Sequence, residues 1–156
     1  MTIGGKGMAV LHLMVGLPCS GKTTKAKKLE KEHNALLLSP GALRLPLYGN
    51  DTSNLRFAES IMWDHASRVL SLGVDVILDF GFLTKKEREM FRARARGLGV
   101  DFKIHYMDVP VNELYKRLEK RNKAAASQEF IISKEKMESY ISAFEPPDQE
   151  ELAGKT

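Results

Sequence analysis

A chain of 156 residues, 43% hydrophobic and 28% charged, can build one domain with a packed core, and that balance excludes wholesale disorder. Its one cysteine, Cys19, excludes an intrachain disulfide framework and a cysteine-rich zinc site. The net charge of +4 understates how basic most of the chain is, because Glu145, Asp148, Glu150 and Glu151 crowd the C-terminal segment; the remainder favours phosphate-rich ligands or nucleic acid without choosing between them.

Met8–Val15 (MAVLHLMV) is short, apolar, partly β-branched and ended by a glycine, so it reads as a buried strand. Its position behind Lys6 imitates a signal-peptide core, but His12 interrupts it and Gly16–Thr24 is a poor cleavage region. No apolar run approaches the roughly 20 residues of a membrane span. A soluble cytoplasmic protein with no membrane partner is expected. Lys22–His33 reads as a helix with Ala26 and Leu29 inward, and Ala35–Leu38 as a second short strand. Residues 39–54, with two prolines and two glycines, read as a loop. A helix starts near Ser53 or Asn54, with an apolar stripe of Leu55, Ala58, Met62, Ala66, Val69 and Leu70, and Gly73 stops it. Trp63, beside that stripe, reads as core.

Val74–Phe80 (VDVILDF) is a third buried strand. Thr84 and Glu87 have the spacing of a capping box, so a helix runs from Lys85 to about Arg96, with Gly97 beyond. On it Arg88, Arg92 and Arg96 share a face that reads as solvated. Asp101–Val109 is a fourth strand, and Pro110 suits the first turn of a helix reaching about Asn122. Residues 123–130 are small and polar. Ser133 and Lys136 flank the start of a last helix, which ends near Phe144. Residues 146–156 read as a frayed tail. The expected division is one domain, 1–145, with a lid near 117–133, followed by a flexible tail, 146–156. Alternating strands and helices imply an α/β fold with a parallel sheet covered on both faces, whose ligands bind at the carboxyl ends of the strands. His12 and His105 fall on strands expected to be neighbours and read as core packing, not as metal ligands.

Gly16–Thr23 (GLPCSGKT) matches G-x-x-x-x-G-K-[ST] at the junction of a strand and a helix. Phosphate explains the composition. The glycines let successive backbone N–H groups turn inward into an anion-binding nest, and the following helix turns its positive end to the same place. The expected nucleotide contacts are Gly16, Pro18, Cys19, Ser20, Gly21, Lys22, Thr23 and Thr24. Lys22 reaches the β- and γ-phosphates, and the Thr23 hydroxyl takes a magnesium position. Cys19 reads as a tolerated loop residue. Asp79, ending an apolar strand, supplies the carboxylate for the magnesium shell, so Thr23 and Asp79 are the expected metal pair. Asp79-Phe80-Gly81 also spells the DFG of protein kinases, but no H-R-D loop accompanies it and the nucleotide loop is of the other type. Arg117 and Arg121, four apart, share a helix face beside the small polar segment. They suit closure over a triphosphate, with Arg117 also a nucleotide contact. Lys22, Asp79, Arg117 and Arg121 are therefore the expected catalytic set.

With these residues the chain resembles the small P-loop kinases that include polynucleotide 5′-hydroxyl kinase, chloramphenicol phosphotransferase and zeta toxin. It is most similar to bacterial ATP-binding proteins of the AAA_33 type. GLPCSGKTT, Arg56…Glu59…Met62-Trp63, GVDVILDFGF with KKEREMFRARA, RLEKRN and FEPPDQEE carry the resemblance, which spans Met8 to Glu151. It implies a P-loop NTPase fold with a four-stranded parallel sheet in the order 2-3-1-4, a lid near Arg117–Gln128, and ATP with Mg2+. It also implies that Arg56 contacts an acceptor or a phosphate and that Phe144–Pro147 lies near adenine. One position departs. In these kinases the second strand leads to an aspartate that takes the proton of the acceptor hydroxyl; here Gly41 stands near that place. Asp51 and Asp79 are the candidate substitutes. The leading expectation is transfer of the γ-phosphate of ATP to a hydroxyl of a small molecule or a nucleic-acid end, by a monomer or weak dimer. The alternative is a catalytically degenerate ATP-binding module acting through a partner. A nucleic-acid-binding ATPase is possible but not favoured, and a GTPase is not expected because no N-K-x-D motif is present.

Overall fold

The computed structural model describes residues 7–41, 55–124 and 131–154. Four strands, β1 (Val10–Val15), β2 (Leu36–Leu38), β3 (Val76–Gly81) and β4 (Asp101–Tyr106), pair in parallel in the order β2-β3-β1-β4. Six helices of the described residues accompany them: α1 (Lys22–His33), α2 (Leu55–Ser71), α3 (Lys85–Leu98), α4 (Val111–Ala124), α5 (Lys134–Ala143) and α6 (Gln149–Leu152). The strand order is the one the resemblance implies.

The period-two alternation of the two central strands sorts the core. Leu11, Leu13 and Val15 of β1 and Val76 and Leu78 of β3 face α2 and α3, where Ala66, Leu70, Phe91 and Ala95 meet them. Met14 and Ile77 point the other way, against Ala26 and Leu29 of α1. Both faces of β1 and β3 are buried, which is why these strands read as continuous apolar runs. A third cluster joins Leu17 of the loop to Leu114 and Leu118 of α4, Ile132, and Met137 of α5. Trp63 packs edge-on against Phe91, at 5.4 Å between ring centres.

Local chemistry fixes the helix ends. Thr84 accepts from the Glu87 N–H and Ser133 from the Lys136 N–H, each satisfying a donor that the first turn leaves free. α3 continues through Gly97, its expected stop, to Leu98. Gly99 ends it at φ 67° and returns its N–H to the carbonyls of Ala95 and Arg96. The helix passes Gly97 because Gly99 supplies the left-handed turn.

The C-terminal segment differs from the frayed tail expected for 146–156. Asp148 and Glu151 form a reciprocal capping box that starts α6, and α6 packs on β4. Arg88, expected on a solvated face, is 1% exposed; Glu151 is 4% exposed. The Arg88 Nε donates to the Glu151 carboxylate at 2.8 Å, and its Nη1 donates to the Phe82 carbonyl at 3.0 Å. Lys85 reaches Asp148 at 2.6 Å. The acidic tail folds because two basic residues of α3 receive it.

Candidate nucleotide site

β1 runs into the loop Gly16–Gly21, and α1 leaves it. A Cβ on Gly16 would meet the Ser20 Oγ at 2.8 Å and Met107 at 3.2 Å, so no larger residue fits there. Gly21 caps α1 at φ 90° and Cys19 sits at φ 67°, both in the left-handed region that turns successive amides toward one point. Lys22 lies across the loop mouth, its Nζ donating to the Leu17 carbonyl at 3.0 Å. Burial pushes the Lys22 ammonium below its usual value, with nearby Asp79 opposing. An anion in this nest would remove the penalty on the charged form.

On β3, residues 77 and 79 share the face turned to α1, so the strand's alternation carries Asp79 to the first turn of that helix. The Thr23 hydroxyl donates to Asp79 Oδ2 at 2.7 Å and the Ser39 hydroxyl to the same oxygen at 3.3 Å. Between the pairs Leu13–Leu78 and Val15–Gly81 the register slips by one residue. β3 therefore bulges where Asp79 stands, a common device for aiming a side chain beside a site. Asp79 is 8% exposed and its Oδ1 has no hydrogen-bond partner among the described residues. A buried anionic oxygen is costly unless it meets a cation or a donor. A hydroxyl beside a carboxylate is the oxygen donor set that suits Mg2+, so the expected pair fits that ion.

α4 closes the other side. The Arg117 Nη1 donates to the Cys19 carbonyl at 3.3 Å while its Nε binds Glu113 at 3.2 Å. Arg121 Nη1 stands 3.9 Å from the Cys19 sulfur. The cleft between loop and helix has a volume of about 800 Å³. Of the expected site residues, Gly16, Pro18, Cys19, Gly21, Lys22, Thr23, Thr24, Asp79, Arg117 and Arg121 line it. Ser20 does not: it is buried behind the loop, with its N–H on the Leu17 carbonyl at 3.2 Å. Gly41 and Ser39 line the wall at the end of β2, and Leu83, Ile132 and Tyr140 supply apolar surface. Sequence reasoning singled out none of Ser39, Ile132 or Tyr140. Ser39 immediately follows a strand, which was the one available signal.

Phe144 ends α5 with its ring 6.0 Å from Tyr106. Glu145 donates its N–H to the Leu83 carbonyl and accepts the Lys85 N–H, tying this segment to the cleft wall. Arg56 lies in the exposed first turn of α2. Asp51 and most of the loop 39–54 lie outside the described residues, as does the segment 125–130.

A parallel sheet with this order, a G-x-x-x-x-G-K-T loop joining β1 to α1 and a carboxylate on the adjacent strand define the fold of the P-loop kinases. The AAA_33 family model, an AAA domain, matches residues 11–147, and the chain belongs to that family. No curated protein matches it. Kti12 of Chaetomium thermophilum, solved in complex with ADP-AlF3, superposes with a TM-score of 0.70 at 21% identity, covering 88% of this chain and 81% of its own. A putative kinase of Chloroflexus aurantiacus gives 0.71 at 19% identity, with 87% and 76% covered. A chain of the Pnkp1/Rnl/Hen1 RNA repair complex gives 0.68 at 21% identity over 92% of this chain, which spans 46% of that one. Among the described residues no helix is long and apolar enough to cross a membrane.

Proposed function

We propose that the protein is an ATP-dependent phosphotransferase acting on a hydroxyl. The observation that carries this reading is the placement of charge around one cleft. Lys22 and the loop amides lie on one side, Arg117 and Arg121 on the other, and the Thr23–Asp79 pair at the base. Phosphoryl transfer rests mostly on positioning and on neutralising charge spread over the equatorial oxygens, and this arrangement supplies both. Thr23 and Asp79 would hold Mg2+, which would neutralise charge on the β- and γ-phosphate oxygens. The acceptor oxygen bonds to the γ-phosphorus as the bond from that phosphorus to the bridging oxygen of ADP breaks. The hydroxyl proton leaves to a carboxylate on the acceptor side or to water. Tyr140, Ile132 and Leu83 offer the apolar wall that excludes competing water.

Gly41 favours the second reading, an ATP-binding module that does not transfer phosphate. It lines the cleft where an acid is expected, and among the described residues a Cβ there meets only the Ser39 Oγ, at 3.9 Å. The experiment is ADP release measured against nucleosides, aminoglycosides, nucleotide sugars and 5′-hydroxyl oligonucleotides, for the natural chain and for Gly41→Asp. Stimulation of the natural chain by one acceptor class supports the kinase. Turnover that no acceptor raises, but that Gly41→Asp makes acceptor-dependent, supports the module.

A further inference from the structure

The α1 face of the sheet carries a second polar cluster, at the end away from the phosphate loop. His12 of β1 lies on that face with Met14, and Asp75, just before β3, lies on it with Ile77 and Asp79. α1 runs back along this face, so its two ends meet two carboxylates four residues apart. Thr23 in its first turn meets Asp79, and His33, its last residue, meets Asp75. At about 3.3 Å per strand residue the two places are roughly 13 Å apart.

The geometry points to a site for a transition-metal ion, Zn2+ by its chemistry, held by His12 Nε2, His33 Nδ1 and Asp75 Oδ2, with water as fourth ligand. The three ligand atoms lie within 4.8 Å of one another. Those from His12 and Asp75 are 3.4 Å apart, and those from His33 and Asp75 3.9 Å. Such separations are long for hydrogen bonds. Two atoms sharing a tetrahedral zinc at about 2.0–2.1 Å stand about 3.4 Å apart. His33 is exposed on the last turn of a helix, so its ring has freedom to close the remaining gap.

The surroundings are those of a ligand set. The other oxygen of Asp75 accepts the Val10 N–H at 2.9 Å, which fixes the carboxylate and leaves Oδ2 to the ion. His12 is 2% exposed, and its Nδ1 lies 2.9 Å from the Nε2 of His105. With the metal on Nε2, His12 donates its Nδ1–H to His105, the outer contact that sets the tautomer of a metal-bound imidazole. Two imidazoles and a carboxylate suit Zn2+ over Mg2+. The ion would tie the C-terminal end of α1 to β1 and β3.

The test is Zn2+ titration of the untagged full chain by calorimetry, with Co2+ absorption reporting coordination number. One Zn2+ per chain, a four-coordinate Co2+ spectrum and a melting temperature raised by several degrees are expected. His33→Ala, at an exposed position that leaves the core intact, should weaken binding at least tenfold and abolish the shift. Asp75→Asn, which keeps an oxygen for the Val10 N–H, should do the same. His105→Ala should weaken it by about 10–100-fold. Cys19→Ser and Asp79→Asn should keep the 1:1 binding. Failure to saturate, binding indifferent to His33→Ala in a chain folded by circular dichroism, or binding lost in Cys19→Ser would overturn the site.

Discussion

Lys22→Ala separates nucleotide binding from folding, because the structure predicts opposite consequences for the two. Among the described residues the Lys22 Nζ makes one hydrogen bond, to the Leu17 carbonyl, and that carbonyl also accepts the Ser20 N–H. Truncation therefore strands no buried acceptor. A cation in the first turn of a helix opposes the helix dipole, and burial already disfavours the charge. The free variant should melt at the natural temperature or slightly above it. Nucleotide binding should suffer instead. A charge-assisted contact to triphosphate oxygens is worth about 2–3 kcal/mol, or roughly a 30–150-fold rise in the dissociation constant. Calorimetry with a non-hydrolysable ATP analogue and magnesium at low salt reads the affinity, and thermal melts with and without the analogue read the stability. Unchanged affinity would refute the phosphate-loop assignment. Lost affinity together with a lower melting temperature in the free protein would refute the account of Lys22 as a group strained by burial and relieved by phosphate.

The other predictions concern charge placed elsewhere in the fold. Asp79→Asn should lower magnesium-dependent turnover by about 10²-fold or more, since several kcal/mol of charge stabilisation depend on that carboxylate; metal-free ATP should bind at least as well, because a negative charge beside phosphate is gone, and weaker metal-free binding would contradict this. Arg121→Ala should reduce turnover more than ATP affinity, and Arg117→Ala should reduce both; wild-type turnover in both variants would make the pair a solvated face. Glu151→Ala leaves the Arg88 guanidinium buried without its carboxylate and should cost about 3–5 kcal/mol in urea unfolding, with much of it restored in Arg88→Met/Glu151→Leu. Glu59, half-buried and close to Glu87, has its carboxyl raised to about 7 by burial and then by that neighbour. The folded chain thus holds a proton that the unfolded chain loses near 4.5, and stability falls as pH rises from about 4.5 to 7. Glu59→Gln should melt higher than the natural chain above pH 7 and alike below pH 4.5; a difference constant with pH would refute the assignment.

Local pattern sufficed for the strands, the caps and the loop. VLHLMV and VILDFG are apolar on both faces because both faces are covered, and G-x-x-x-x-G-K-T is a contiguous motif whose chemistry is written in adjacent residues. Thr84 and Ser133 cap where their spacing says they should, since a cap involves residues only three apart. Asp148-x-x-Glu151 carries the same local signature, yet its helix holds because Arg88, 63 residues away, buries with Glu151. No periodicity reveals that arginine's partner: the same i,i+4 spacing describes a solvated face and a buried one. The bulge that aims Asp79 at Thr23 is a matter of register between β1 and β3, which depends on two strands far apart in sequence. The cluster of His12, His33 and Asp75 arises in the same way. Each residue alone looks like core, helix end or strand, and only the path of α1 across the sheet brings their ligand atoms within reach of one ion.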